Sequence, residues 1–255
     1  MKYSMCTTFA KQRDIEEIIS MASRLKLDGI EIWEGHIDGY IARNGDINKL
    51  QGLLVANGLE CVTVSPYLDL ITEETLNASM AAARKCIRYA RALECPMVRV
   101  FLGDKASQEV TAEEWERCFS ALRELAKDAI DNGIILAMEI HNGKPTDTKE
   151  AVLKVLKAVD SEALKLIFDG FNFIPDGLDM MEAYEALKDY TVHYHFKNLK
   201  WDVHLCVPLD EGDADFTPLV KAVKSSGYDG YISFEYFADD PSDMIRKSWD
   251  WFKQV

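Results

Sequence analysis

Four polar residues carry the chemistry that this sequence suggests, and each stands at the end of a short apolar run. Glu139 closes the run in IILAMEIHNG, Asp169 that in LKLIFDGFN, His195 lies near the end of TVHYHFKN, and Glu235 closes GYISF. Alternate residues of a strand share a face, so Ala137, Glu139 and His141 have one parity, as do His193 with His195 and Ser233 with Glu235. Taken singly, each has an ordinary explanation: a salt-bridged Glu139, an Asp169 that opens a turn before Gly170, a hydrogen-bonded core His195, a Glu235 paired with a barrel lysine. Taken together they need another one. Three carboxylates buried around one imidazole repel prohibitively unless a cation sits among them. The set therefore suggests one divalent metal ion, with manganese or cobalt foremost and magnesium or zinc as alternatives.

The elements that must position these residues follow from hydrophobic rhythm. Short β-rich runs over Tyr3–Cys6, Gly29–Trp33, Glu60–Ser65, Met97–Phe101, Ile134–Ile140, Leu164–Phe168, Thr191–Phe196 and Tyr231–Phe234 read as eight strands. Amphipathic stretches alternate with them: Asp14–Leu25, Ile47–Asn57, Glu73–Leu93, Ala112–Asn132, Thr148–Val159, Met180–Lys188, Phe216–Ser226 and Ser242–Phe252. Thr111 is placed to cap the fourth of these helices and Gly133 to end it, while Asn57-Gly58 and Ser226-Gly227 mark further helix stops. Strict alternation implies parallel strands, and eight units close a (β/α)8 barrel of about 250 residues. The rival, an open doubly wound sheet, lacks its glycine-rich loop here, since Thr7-Thr8-Phe9 follows the first strand. Residues 1–255 are expected to form one α/β barrel domain, with its chemistry at the C-terminal ends of the strands.

Bulk composition mainly excludes. Hydrophobic residues make up 48% of the 255, enough for a large core. No apolar run is long enough for a membrane span, and MKYSMCTTFAKQRD has no signal-peptide pattern, so a cytoplasmic address is expected. A net charge of −14 without a basic block disfavours nucleic-acid partners. The scattered cysteines, with no CxxC pair, read as reduced thiols. A homo-oligomer stays open.

In their order and spacing, LAMEIHNGKPTDTKEAVLKVLKAV, LIFDGFN, HYHFKN and GDADFTPLVKAVKSSGYDGYISFE carry a family resemblance. The chain resembles the xylose isomerase-like TIM barrels, in particular the sugar phosphate isomerase/epimerase group with its ketose 3-epimerases, hydroxypyruvate isomerases and inosose dehydratases. The resemblance implies that Glu139, Asp169, His195 and Glu235 are metal ligands and that Glu139 and Glu235 form the acid/base pair. It also implies that His141 and Lys197 line the substrate pocket. The implied activity is isomerisation or epimerisation of a sugar or keto-polyol by proton transfer through a metal-bound enediolate. The alternative is inosose-type dehydration at the same site. Two departures from the ketose epimerases bear on this choice. Asn172 stands where they carry a histidine three residues after the aspartate, and Lys197 and Lys200 stand in the region of their substrate-binding arginine. An apurinic endonuclease would need more histidines than the five present and a basic groove; a non-catalytic sugar-binding barrel would not need the intact quartet.

The substrate is expected to be a small carbohydrate or hydroxy-carbonyl acid without a phosphate. Asp210, Glu211, Asp213 and Asp215 follow the seventh strand, where barrels usually bind phosphate, and Lys144, Lys197 and Lys200 are the nearby cations. Trp33 and Asn172 complete the expected substrate-binding residues. Glu34 and His36 read as solvated loop residues, and His204 as part of a long loop without a catalytic role.

Overall fold

The eight apolar runs become strands β1 (Lys2–Cys6), β2 (Gly29–Trp33), β3 (Glu60–Ser65), β4 (Met97–Val100), β5 (Ile135–Glu139), β6 (Leu164–Asp169), β7 (Thr191–Phe196) and β10 (Tyr231–Phe234). In the computed structural model, which describes residues 1–255, these strands close into one parallel barrel in which β1 pairs with both β2 and β10. Nine helices surround it: α1 (Ile15–Arg24), α2 (Glu34–Asn44), α3 (Ile47–Ala56), α4 (Glu73–Ala92), α5 (Ala112–Asn132), α6 (Lys149–Val159), α7 (Met180–Leu187), α8 (Thr217–Ser225) and α9 (Ser242–Gln254). None is long and apolar enough to cross a membrane. Local chemistry sets several boundaries. Thr111 and Glu114 form a reciprocal capping box at the start of α5, and Gly133 ends that helix with φ of 67°.

Two elements go beyond the expected pattern. The segment expected as loop around Glu34 and His36 is helix α2, and His36 is buried, with its ring nitrogens 3.0 Å from Thr7 Oγ1 and from the Ala10 carbonyl. Two interior glycines weaken the helical signal of EGHIDGYIARN by about 1 kcal/mol each. Gly35 is required by packing: a Cβ there would lie 2.3 Å from the Trp33 ring. The second element is a short antiparallel hairpin of β8 (Asn198–Lys200) and β9 (Leu205–Val207) within the long loop after β7. Buried Asn198 anchors it through its Nδ2 donations to the carbonyls of Leu209 and Ala214, both 2.8 Å.

The core has two parts. A large apolar layer separates the strands from the helices. A second cluster, Val62, Met97, Ala137 and Ile167, is distinct from it. Met97, Ala137 and Ile167 share strand parity with Arg99, Glu139 and Asp169, so they form an apolar floor beneath a polar layer inside the barrel. Burying each larger side chain there contributes about 1.5–3 kcal/mol. That rigid floor fixes the strand ends from which the site is built.

Candidate metal centre

Strand register sets the height of each functional side chain. Asp169 pairs with His195, His195 pairs with Ser233, and Glu235 follows two residues after Ser233 at the same end. Glu139, Asp169, His195 and Glu235 are all buried, and each offers a donor atom within 4.8 Å of the others. The structure therefore brings the four expected residues together. Asp169 combines its two readings: Oδ1 accepts the Phe171 N–H at 3.1 Å, as in a turn, while Oδ2 accepts from Asn172 Nδ2 at 2.9 Å and Lys197 Nζ at 2.5 Å. Lys197 also donates to Glu235 Oε2 at 2.8 Å. Asn172 makes a second bond, from Nδ2 to the Ile140 carbonyl at 3.0 Å, so it orients Asp169 from the neighbouring strand end.

The residues fit a divalent cation on two grounds. Four carboxylates, of Glu31, Glu139, Asp169 and Glu235, are buried beside only two permanent cations, Arg99 and Lys197. One divalent ion balances that charge when the imidazoles are neutral. The second ground is an orphaned atom. His195 Nε2 lies 2.8 Å from Glu31 Oε1, whereas Nδ1 is buried without a hydrogen-bond partner and faces Glu139 Oε1 at 3.4 Å. With His195 neutral, its Nδ1 lone pair and three carboxylates face one space and make an oxygen-rich donor set that suits such an ion.

Electrostatics divide the acids. Burial opposes ionisation of Glu139, but Arg99 and His195 outweigh it and lower its pKa to about 2. Burial raises the pKa of Asp169, with Lys197 opposing and Glu235 adding to the rise. Burial also disfavours the charged form of His195, yet Glu31 foremost, with Cys6 and Glu139, raises its pKa well above the ordinary value. Lys197 is held cationic by Asp169 and Glu235 against its burial.

Two residues of the polar layer lie away from the strand ends where acids and imidazoles were expected. Arg99, in the middle of MVRV, is 2% exposed and donates from Nη1 to Glu139 Oε2 at 3.0 Å. It corrects the expectation that Lys144, Lys197 and Lys200 are the only nearby cations. Glu31, in the middle of GIEIW, accepts from both His193 and His195. A charged side chain inside an otherwise apolar barrel strand was the available signal in both cases.

The remaining expected residues sit at different distances from the quartet. His141 is half-buried beside Phe101, edge-on at 5.7 Å between ring centres. Trp33 stands two residues above Glu31 on the same strand face, under the Lys11 ammonium. Lys144 pairs with exposed Asp104, and Lys200 pairs with Asp213 at 2.6 Å in the hairpin region. Glu34 faces Lys85 at 3.6 Å, and His204 turns the exposed tip of the hairpin with φ of 50°.

Comparison with known proteins places this barrel in a class. Residues 19–255 match the model of the xylose isomerase-like TIM barrel, and the chain belongs to that family. It is 24% identical to a 3-dehydroshikimate dehydratase from Bacillus anthracis over 96% of this chain and 94% of that protein. A crystal structure of a probable 3-DHS dehydratase from the same organism superposes with a TM-score of 0.88 at 23% identity, covering 99% of each chain. The chain is also 24% identical to an L-ribulose-5-phosphate 3-epimerase from Escherichia coli, over 93% of this chain and 88% of that protein. The same fold appears in a crystal structure of the IOLI protein with a bound zinc atom, at a TM-score of 0.81 and 16% identity, covering 98% of this chain and 96% of that one. The relatives thus include both dehydratases and epimerases.

Proposed function

We propose that this protein is a divalent-metal-dependent dehydratase acting on a small carboxylated hydroxy-ketone of the 3-dehydroshikimate type. The observation that carries this reading is the unpaired edge of Arg99. Glu139 takes its Nη1, while Nε and Nη2 are buried without partners. Each unpaired buried donor costs about 1–3 kcal/mol, and a side-on guanidinium edge matches a carboxylate through two parallel bonds. A neutral sugar offers no such group. The rings of Tyr67 and Phe101 lie against the guanidinium at 5.1 and 4.7 Å, giving flat apolar walls suited to a cyclic acid.

Glu139, Asp169, His195 and Glu235 would hold a divalent ion, which when bound would supply Lewis-acid polarisation of a substrate oxygen. The side chains do the rest. His141 donates Nδ1–H to the Asn142 carbonyl at 2.8 Å, which leaves Nε2 as a bare lone pair at the half-buried rim. Nε2 removes the proton on the carbon beside the ketone. The C–H electrons form a C=C bond as the C–O bond of the adjacent carbon breaks, and the hydroxyl takes up a proton and departs as water. Glu139, with its low pKa, is a weak base and serves as a ligand. Glu235, bonded to Lys197, shares the acid/base work with His141.

A second reading, epimerisation of a keto-sugar, draws on the approach of Glu139 and Glu235 from β5 and β10, which puts a carboxylate on two sides of one space. The discriminating experiment incubates the manganese-loaded protein with 3-dehydroshikimate and with a ketose panel, followed by mass spectrometry and proton NMR. An acid product lighter by one water supports dehydration. An isomer of unchanged mass from a ketose, with the acid left intact, supports the second reading and defeats the first.

A further inference from the structure

We infer that Glu31 is a positioning residue that fixes the tautomer of His195 and thereby sets the affinity of the quartet for its cation. This rests on reading Glu139, Asp169, His195 and Glu235 as metal ligands. Glu31 lies in β2 between Ile30 and Ile32, and the β2–β3 register shifts between Ile30 and Glu31. The extra residue of that irregularity is Val62 in β3, and Glu31 faces the barrel interior by ordinary strand alternation. Here the Glu31 carboxylate, 1% exposed, is turned onto β7 across the barrel.

Its Oε1 lies 2.7 Å from His193 Nε2 and 2.8 Å from His195 Nε2. A nitrogen at that distance from a carboxylate oxygen carries the proton. The neutral His195 ring then has its lone pair on Nδ1, the buried atom that faces Glu139 at 3.4 Å and has no partner. The carboxylate itself pairs with neither lysine nor arginine; the two imidazoles are its partners. His193 Nε2 is also 3.1 Å from Ser233 Oγ, which is 2.6 Å from Ser4 Oγ. A polar chain therefore crosses the barrel below the quartet and ends on the imidazole that belongs to it. A carboxylate behind a ligand imidazole both orients the ring and strengthens it as a donor, and loss of such a partner typically lowers metal affinity about 10- to 100-fold.

The test compares wild type with E31Q, which keeps the shape and an acceptor but removes the charge, and E31L, which removes the acceptor. Manganese affinity is measured by calorimetry. The His195 tautomer is read from long-range 1H–15N spectra of histidine-labelled, metal-free protein at alkaline pH. We expect affinity to fall about 10-fold in E31Q and about 100-fold in E31L, with a mixed His195 tautomer in E31L only. S233A, which breaks the chain beneath without touching the Glu31–His195 bond, should keep the wild-type tautomer and affinity. Unchanged affinity in either Glu31 variant overturns the inference, and E31Q suffices should E31L not fold. So does a loss in S233A as large as that in E31L, which would mark a general packing effect. Absence of manganese binding by the wild type would overturn the metal reading and this inference together; binding that Glu31 does not affect overturns this inference alone.

Discussion

Substituting Arg99 by lysine separates recognition of a substrate carboxylate from the structural duty of the same side chain. Arg99 is buried against Glu139, so truncation would strand a carboxylate at a cost of about 3–5 kcal/mol and obscure everything else. Lysine keeps a positive charge for Glu139 but loses the two-pronged edge formed by Nε and Nη2. One charge-assisted hydrogen bond to the substrate is worth about 1.5–3 kcal/mol, which is about 10- to 150-fold in kcat/KM. The assay is steady-state turnover of 3-dehydroshikimate and of its methyl ester, which keeps the ring and removes the anion. Arg99→Lys should lower kcat/KM by that factor on the acid and leave the ester little changed. Equal losses on both compounds would refute the reasoning, because Arg99 would then act through Glu139 alone. An unimpaired acid would refute it too.

Three further outcomes follow from the same geometry. Chelation should abolish turnover, and manganese or cobalt should restore it. Stability should fall alongside, by about 2.7 kcal/mol relative to protein holding the ion at 100 times its Kd; calorimetry with and without chelator measures this. Glu235→Gln removes a proposed ligand charge, the carboxylate that accepts from Lys197 and the acid/base partner of His141, so kcat should fall at least about 100-fold while the circular dichroism spectrum is kept. Glu34→Gln loosens a pairing with Lys85 and keeps an acceptor for the Cys86 thiol, so stability should move by no more than about 0.5 kcal/mol and kcat should hold.

The barrel was legible because its strands are short apolar runs whose ends carry the polar residues, and the structure reproduces all eight. The quartet was legible for the same reason: Glu139, Asp169 and Glu235 each interrupt an apolar run where the chain leaves the barrel. Arg99 and Glu31 were not found because they sit inside their strands. β4 is only four residues long, so its third residue already stands near the mouth, and length in sequence hides that height. Glu31 reaches the site by crossing the barrel interior to β7, a contact with no local signature. Helix α2 was hidden by Gly35 and Gly39, whose cost is offset by tertiary burial of His36, Ile37 and Tyr40. His36 shows the limit of reading a residue from its neighbours: its polar surroundings in sequence suggested solvent, but Thr7 and Ala10, from another element, enclose it.

One divalent ion is expected to bind among Glu139, Asp169, His195 and Glu235. Diffraction from manganese-soaked crystals, with an anomalous map phased on the protein, tests it directly. A single strong peak is expected in contact with His195 Nδ1 and the three carboxylates, lost in Asp169→Asn. A peak elsewhere with this space unfilled, or no peak at saturating manganese, would contradict it.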